Sequence, residues 1–198
     1  MALLDFFNKP VILASQSPRR AELLSLLQIE FTIHPSTYEE DNERLISPTE
    51  LARLHAYHKA QQVAALFSDA WIIGADTIVV KRLKILGKPK TRQEAIEMLE
   101  HLSGCAHKVF TAYCIINASN GKSLSNVVET TVRFRRLNRA MIEYYVDHFP
   151  PYDKAGAYGI QDFSAVFIEK ITGCFYNVVG FPLPAFYHQV RTELQNIL

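Results

Sequence analysis

Trp71-Ile72-Ile73-Gly74-Ala75-Asp76-Thr77-Ile78-Val79-Val80 reads as one buried strand, because it is apolar and rich in β-branched residues on both sides of Asp76 and Thr77. Asp76 is the discordant residue. Aspartate is disfavoured in strands, and an ionised carboxylate buried without a partner is costly enough to change its protonation or take up a cation. One reading is a catalytic or metal-binding acid. The other is that Gly74-Ala75 ends a strand and Asp76 caps a solvated turn.

Upstream of this strand, Pro10 to Ser15 reads as a short strand. Ser17, as N-cap, and Pro18 then open a helix running to about Gln28, with Leu23, Leu24, Leu26 and Leu27 on its buried side. A strand around Phe31 to His34 precedes a polar loop, Ser36 to Ser47. Ser47-Pro48-Thr49-Glu50 starts a longer helix reaching about Phe67. Downstream, Leu83 to Lys90 reads as a turn, and Thr91 caps a helix with Ala95, Ile96, Leu99 and Leu102 at helical spacing, ended by Ser103-Gly104. Strands over Lys108 to Asn117 and Leu124 to Arg136 flank the hairpin signal Ser119-Asn120-Gly121-Lys122. A helix from Asn138 to Phe149, a Gly/Ala-rich connection, a strand near Ala165 to Lys170 and a helix from about Leu183 to Gln195 complete the pattern. Early alternation of strand and helix with a central hairpin predicts an α/β fold with a mixed sheet.

The 198 residues suit one domain, 1–198, with two lobes allowed. Lys plus Arg number 21 against 20 Asp plus Glu, so net charge offers no support for a stable nucleic-acid or membrane-surface partner. Three cysteines without C-x-x-C spacing argue against a disulfide framework and a thiolate zinc site. A reduced, cytoplasmic setting is the expectation. Met1-Ala2-Leu3-Leu4-Asp5-Phe6-Phe7-Asn8-Lys9 lacks a basic region before its apolar residues, and no apolar run approaches membrane-spanning length.

Arg19 and Arg20 fall in the first turn of a helix, where the helix dipole disfavours cations. With Ser15, Ser17 and free backbone N–H groups they make a phosphate cradle, unless both arginines turn into water or pair with Glu22 and Glu39-Glu40. The triplet Glu39-Glu40-Asp41 is ordinary solvated decoration unless folding brings it beside Asp76, where paired carboxylates suit Mg²⁺ and phosphate oxygens. Lys59 and Lys88 read as surface lysines, although Pro89 holds Lys88 extended. In Asp153-Lys154-Ala155-Gly156-Ala157-Tyr158-Gly159-Ile160-Gln161, Tyr158 and Gln161 suit a flat polar ring, while a tight structural turn explains the glycines equally well. His55 and His58 lie one turn apart without a third ligand and read as a solvated pair. Arg133, Arg135 and Arg136 read as the wet face of a strand. The Walker A loop, G-x-G-x-x-G and G-x-S-x-G are absent.

Taken in order, Leu13-Ala14-Ser15-Gln16-Ser17-Pro18-Arg19-Arg20, Gly74-Ala75-Asp76-Thr77, Leu86-Gly87-Lys88-Pro89, Leu102-Ser103-Gly104, Asp153 to Gln161 and Asn177-Val178-Val179-Gly180-Phe181-Pro182-Leu183 resemble the Maf family of nucleoside triphosphate pyrophosphatases over nearly the whole chain. The resemblance implies an elongated mixed sheet with flanking helices, two lobes around a cleft, related to inosine triphosphatases. It implies hydrolysis between the α and β phosphates with a divalent cation, Mg²⁺ or Mn²⁺, and a homodimer. Asp76 and Glu40 would then be catalytic and metal-binding, with Glu39 close in register. Ser15, Arg19, Arg20, Lys59, Thr77, Lys88 and Gln161 would bind substrate. The forms at Arg19, Thr77 and Gln161 look like the branch acting on dTTP and UTP, since Gln161 offers the donor and acceptor that a pyrimidine O4/N3–H edge requires. Two departures stand out. Asp162 occupies a position usually held by glycine, with a consequence for base selectivity, and Leu54-His55-Ala56-Tyr57-His58 replaces a more charged segment before Lys59. A nucleotide-binding regulator of septum formation, or the same chemistry on another base, are the competing readings.

Overall fold

A computed structural model describes residues 6–198, so the first five residues of the stretch read above for targeting lie outside the described residues. The chain forms β1 (Val11–Leu13), α1 (Pro18–Ser25), β2 (Phe31–Ile33), α2 (Pro48–Ala64) and β3 (Trp71–Lys81). There follow β4 (Lys84–Leu86), α3 (Arg92–Leu102), β5 (Ala106–Asn117), β6 (Ser123–Phe134), α4 (Arg139–His148), β7 (Ile168–Thr172), α5 (Phe175–Val179) and α6 (Leu183–Glu193). The strands make a seven-stranded mixed sheet in the order β2-β1-β3-β5-β6-β7, with β4 added to β3. β1 runs parallel to β2 and β3, as helical crossovers require. β3 with β4 and β6 with β7 are antiparallel.

Local chemistry fixes where the helices begin. At α2 the Ser47 hydroxyl accepts from the Glu50 N–H and the Glu50 carboxylate reaches back to Ser47, a reciprocal capping box. Thr91 caps α3 through the Glu94 N–H, and Asn138 caps α4 through the Met141 N–H. Ser17 has the extended backbone of an N-cap, but its side chain makes no capping bond.

Two compact units are distinguishable, one running through Asp76 and taking in Thr111–Val128 and Gly180–Leu198, the other comprising Thr77–Phe110 and Glu129–Val179. In the first, Leu13, Ile72 and Ile73 are wholly buried, and the Tyr113 ring lies 5.3 Å from that of Phe186. In the second, Ala95, Ile96, Leu99 and Leu102 bury the predicted face of α3 in a core with Phe134, Tyr145 and Phe167.

Three predicted features shift. α1 stops at Ser25, and Gln28 then takes a φ of 55°, which leaves Leu26 exposed and only Leu23 and Leu24 buried. The predicted turn from Leu83 to Lys90 contains β4, because antiparallel pairing with the end of β3 satisfies its backbone. The strand expected near Ala165 starts at Ile168, since Asp162 caps a 3₁₀ turn over Phe163–Phe167. The short helix α5 was not foreseen. No helix among the described residues is long and apolar enough to cross a membrane.

Candidate active site

Asp76 lies inside β3 and is 3% exposed, which removes the solvated-turn reading. Gly74, two residues earlier, explains what sits over it. A methyl group at Gly74 would meet the Ala60 amide nitrogen at 2.7 Å and the Ala60 methyl at 2.9 Å, with the Ala56 carbonyl oxygen nearer still. The bare glycine therefore lets α2 lie directly against β3. That contact delivers Lys59, between those two alanines, to the buried carboxylate.

Lys59 is the hinge of the site. Its Nζ donates to Asp76 Oδ1 and to Glu40 Oε1, each at 2.6 Å, so one ammonium joins two carboxylates from separate parts of the sequence. Its side chain is 12% exposed and that of Asp76 4%, which places the pair well out of bulk solvent. Both Glu39 and Glu40 are exposed residues, and it is the Glu40 carboxylate that reaches Lys59. The altered helix segment before Lys59 has not displaced the lysine.

The strand-to-helix turn supplies cations. Ser15 is buried, and its hydroxyl accepts from the Ser17 N–H at 3.2 Å and from Arg20 at 3.2 Å. Arg20 Nε also donates to the Gly180 carbonyl at 3.0 Å, which ties the guanidinium to the loop before α6. Burial pulls the Arg20 pKa below its ordinary value, the Asp76 and Glu40 carboxylates oppose that, and Arg19 reinforces it. Arg19 is half-buried in the same helical turn. The basic helix start and the Asp76 and Glu40 carboxylates thus belong to one unit, where both carboxylates act electrostatically on Arg20.

Thr77, Lys88 and Gln161 belong to the second unit. Thr77 is half-buried on β3, whereas Lys88 and Gln161 are exposed. Their segments are joined, since the Gly156 N–H donates to the Gly87 carbonyl at 3.0 Å and Gly156, at a φ of 70°, packs on Val79. Tyr158, read as a possible ring partner, is instead 5% exposed, with its hydroxyl 2.8 Å from His107 Nε2 and its ring edge-on to Phe134. It is a core residue because its own turn folds it inward.

His55 and His58 are not a solvated pair. His55 is fully buried, with Nδ1 3.0 Å from the Tyr38 hydroxyl, and the Tyr38 ring stacks on His58 at 5.2 Å. Burial, opposed by Asp76, holds the His55 pKa below its ordinary value, and burial raises that of the Tyr38 phenol. Tyr38 thereby anchors the loop that carries Glu40. An aromatic residue among the polar residues that open this loop was the signal for this, and Gly180, legible only as part of a motif, was the other residue missed. Arg133 does lie on the wet face, paired with Glu169 at 3.1 Å.

The donor set fits a hard divalent cation. Asp76 Oδ2 is buried with no hydrogen-bond partner, an arrangement that is costly unless a cation or reacting proton comes to it. Among the described residues no group of three or more His, Cys, Asp or Glu forms a complete cage. Two carboxylates with substrate phosphates completing the shell is the usual mode for Mg²⁺.

A model of the Maf-like protein family matches residues 10–193. A protein of Desulforamulus reducens named dTTP/UTP pyrophosphatase is 45% identical over 175 residues, covering 88% of this chain and 92% of its own length. Proteins of Pyrococcus furiosus and Thermotoga maritima with the same name are each 47% identical over 175 residues, covering 88% and 87% of this chain and 90% and 84% of their own lengths. With the buried aspartate, its lysine and the basic helix start all in place, this chain belongs to the Maf family.

Proposed function

We propose that this protein hydrolyses dTTP and UTP to the monophosphate and pyrophosphate. The observation that carries the proposal is the division of labour at Asp76, whose Oδ1 is held by Lys59 while Oδ2 is buried and unpartnered. Such a carboxylate is oriented through one oxygen and leaves the other to accept a proton from the attacking water. The water oxygen bonds to the α-phosphorus, the bond from that phosphorus to the α,β-bridging oxygen breaks, and pyrophosphate leaves. Lys59 keeps Asp76 and Glu40 in register, while Arg19, Arg20 and Ser15 neutralise charge on the triphosphate and on departing pyrophosphate. A divalent cation, Mg²⁺ or Mn²⁺, bound by Asp76 and Glu40 would supply further charge neutralisation on the phosphates. Lys88 and Thr77 are assigned to substrate by the family resemblance, and Gln161 to the base.

The same reading takes residues 1–198 as one catalytic domain working in the cytoplasm as a homodimer. Near-balanced charge and three free cysteines support the compartment and the lack of a stable nucleic-acid partner. Light scattering during size-exclusion chromatography tests the dimer.

The deciding experiment follows pyrophosphate release from canonical, methylated and deaminated triphosphates with Mg²⁺ or Mn²⁺, beside the Asp76→Asn protein. Selective dTTP and UTP cleavage that falls by at least about 10³-fold in the variant, with nucleotide binding retained, is expected. Cleavage of other bases instead discards the pyrimidine assignment, and tight binding without turnover puts a nucleotide-binding regulator in its place.

A further inference from the structure

The departure at Asp162 has a structural meaning of its own. Its side chain is turned into the fold of its own turn. Oδ1 accepts from the Ser164 N–H at 2.9 Å and lies 2.8 Å from the Ser164 hydroxyl, which caps the following 3₁₀ turn. Oδ2 accepts from the Tyr145 hydroxyl at 3.2 Å and sits 3.6 Å from the Lys154 ammonium. Burial, then the nearby Asp162 carboxylate, push the Tyr145 phenol pKa up, so it remains a donor.

The backbone is stitched to the same residues. Ser164 is wholly buried, its hydroxyl lies 2.7 Å from the Gly159 carbonyl, and it accepts from the Gly159 N–H at 3.1 Å. The Asp162 N–H donates to the Gly159 carbonyl at 3.1 Å. A methyl group on Gly159 would fall 2.9 Å from Asp162 Oδ2 and 2.7 Å from Lys154 Cε, so the carboxylate and the lysine stem pack against the bare face of this glycine. Ile160, 7% exposed, is buried on one side of Gln161, and Asp162 is locked on the other. Gln161 is the exposed residue between two fixed neighbours.

We propose that Asp162 is a positioning residue whose carboxylate locks the turn from Gly159 to Ser164 and so sets the direction in which Gln161 presents its amide to the base. The inference rests on the reading that Gln161 recognises the pyrimidine. Direct contact of Asp162 with a base is not part of it, since one carboxylate oxygen is engaged by Ser164 and the other by Tyr145 of α4 and the nearby Lys154. Because an amide must meet its partner in direction as well as distance, loosening the turn weakens recognition of the correct base more than it slows chemistry.

The test compares Asp162→Ala, Asp162→Asn, Gln161→Ala and the Gln161→Ala/Asp162→Ala double variant by steady-state kinetics on dTTP, UTP and dGTP. Asp162→Ala is expected to raise KM for dTTP and UTP about tenfold with kcat within about twofold, narrowing the preference over dGTP. Asp162→Asn, whose amide oxygen still accepts from Ser164, recovers most of that loss. The double variant is no worse than Gln161→Ala, because the two residues act through one amide. If Gln161→Ala loses base preference while folded Asp162→Ala keeps it, or if the two effects add in full, the positioning role is overturned. If Gln161→Ala itself keeps base preference, the reading of Gln161 fails and takes this inference with it. Should Asp162→Ala not fold, Tyr145→Phe removes one donor to the carboxylate and is expected to shift selectivity the same way by about threefold; unchanged selectivity there also overturns the role.

Discussion

Gly74→Ala perturbs the site without touching a charged residue. The added methyl would stand 2.7 Å from the Ala60 nitrogen and 2.9 Å from the Ala60 methyl, and closer than either to the Ala56 carbonyl oxygen. Comfortable contacts lie near 3.5–4.0 Å, so α2 must retreat from β3 by roughly 1 Å. Two of the three obstacles are backbone atoms, which have no rotamer to escape into. Overpacking of this kind costs about 1–3 kcal/mol. The same retreat carries Lys59 away from Asp76. A 2.6 Å contact lengthened by about 1 Å is no longer a hydrogen bond, and a misplacement of that size at a reacting centre slows turnover by about 10²-fold. The assay is pyrophosphate release together with urea unfolding monitored by circular dichroism. Ala60→Gly added to Gly74→Ala removes only the methyl clash and should restore little. A Gly74→Ala protein with the parental rate and midpoint would refute the claim that this contact positions Lys59.

Lys59→Met should remove the cation shared by two carboxylates, destabilise the fold by about 3 kcal/mol and lower the rate by at least about 10²-fold. Adding Asp76→Asn to it should return much of the stability, measured by urea unfolding, and none of the activity. His107 gives a pH prediction. Burial, with Lys81 adding to it, holds its pKa near 4 against an ordinary 6.5. The native state therefore binds fewer protons than the unfolded chain between those values, so stability is fully present above pH 6.5 and falls by about 1.4 kcal/mol per unit as pH drops toward 4. His107→Gln, which keeps a partner for Tyr158, should flatten that acid limb in urea titrations run from pH 7 to 4; an unchanged slope would remove His107 as its cause.

Some of the fold was legible because local chemistry is strong where it was read. Ser47 with Glu50, Thr91 and Asn138 marked helix starts that the capping bonds reproduce. The end of α1 was misplaced because four leucines in five residues look equally apolar in sequence, while the chain turns at Gln28 and leaves Leu26 outside. His55 looked like a surface histidine because α2 has little contrast between its faces, and its burial depends on which loop lies over it. Tyr158 was misjudged for a related reason, since an aromatic residue in a glycine-rich turn carries no sign of the direction in which that turn folds.

Sequence alone determined the apolar stretch around Asp76, the basic start of α1, the mixed α/β class and the family, because each is a matter of residue type at short range or of motif order. Tertiary structure decided that Glu40 and Asp76 share one ammonium, that Gly74 is bare in order to admit α2, and that Asp162 turns into its own loop. Those facts depend on contacts between residues far apart in sequence or on the direction of a side chain. Neither periodicity nor propensity encodes such contacts, because both describe an element against water and say nothing of the element packed against it.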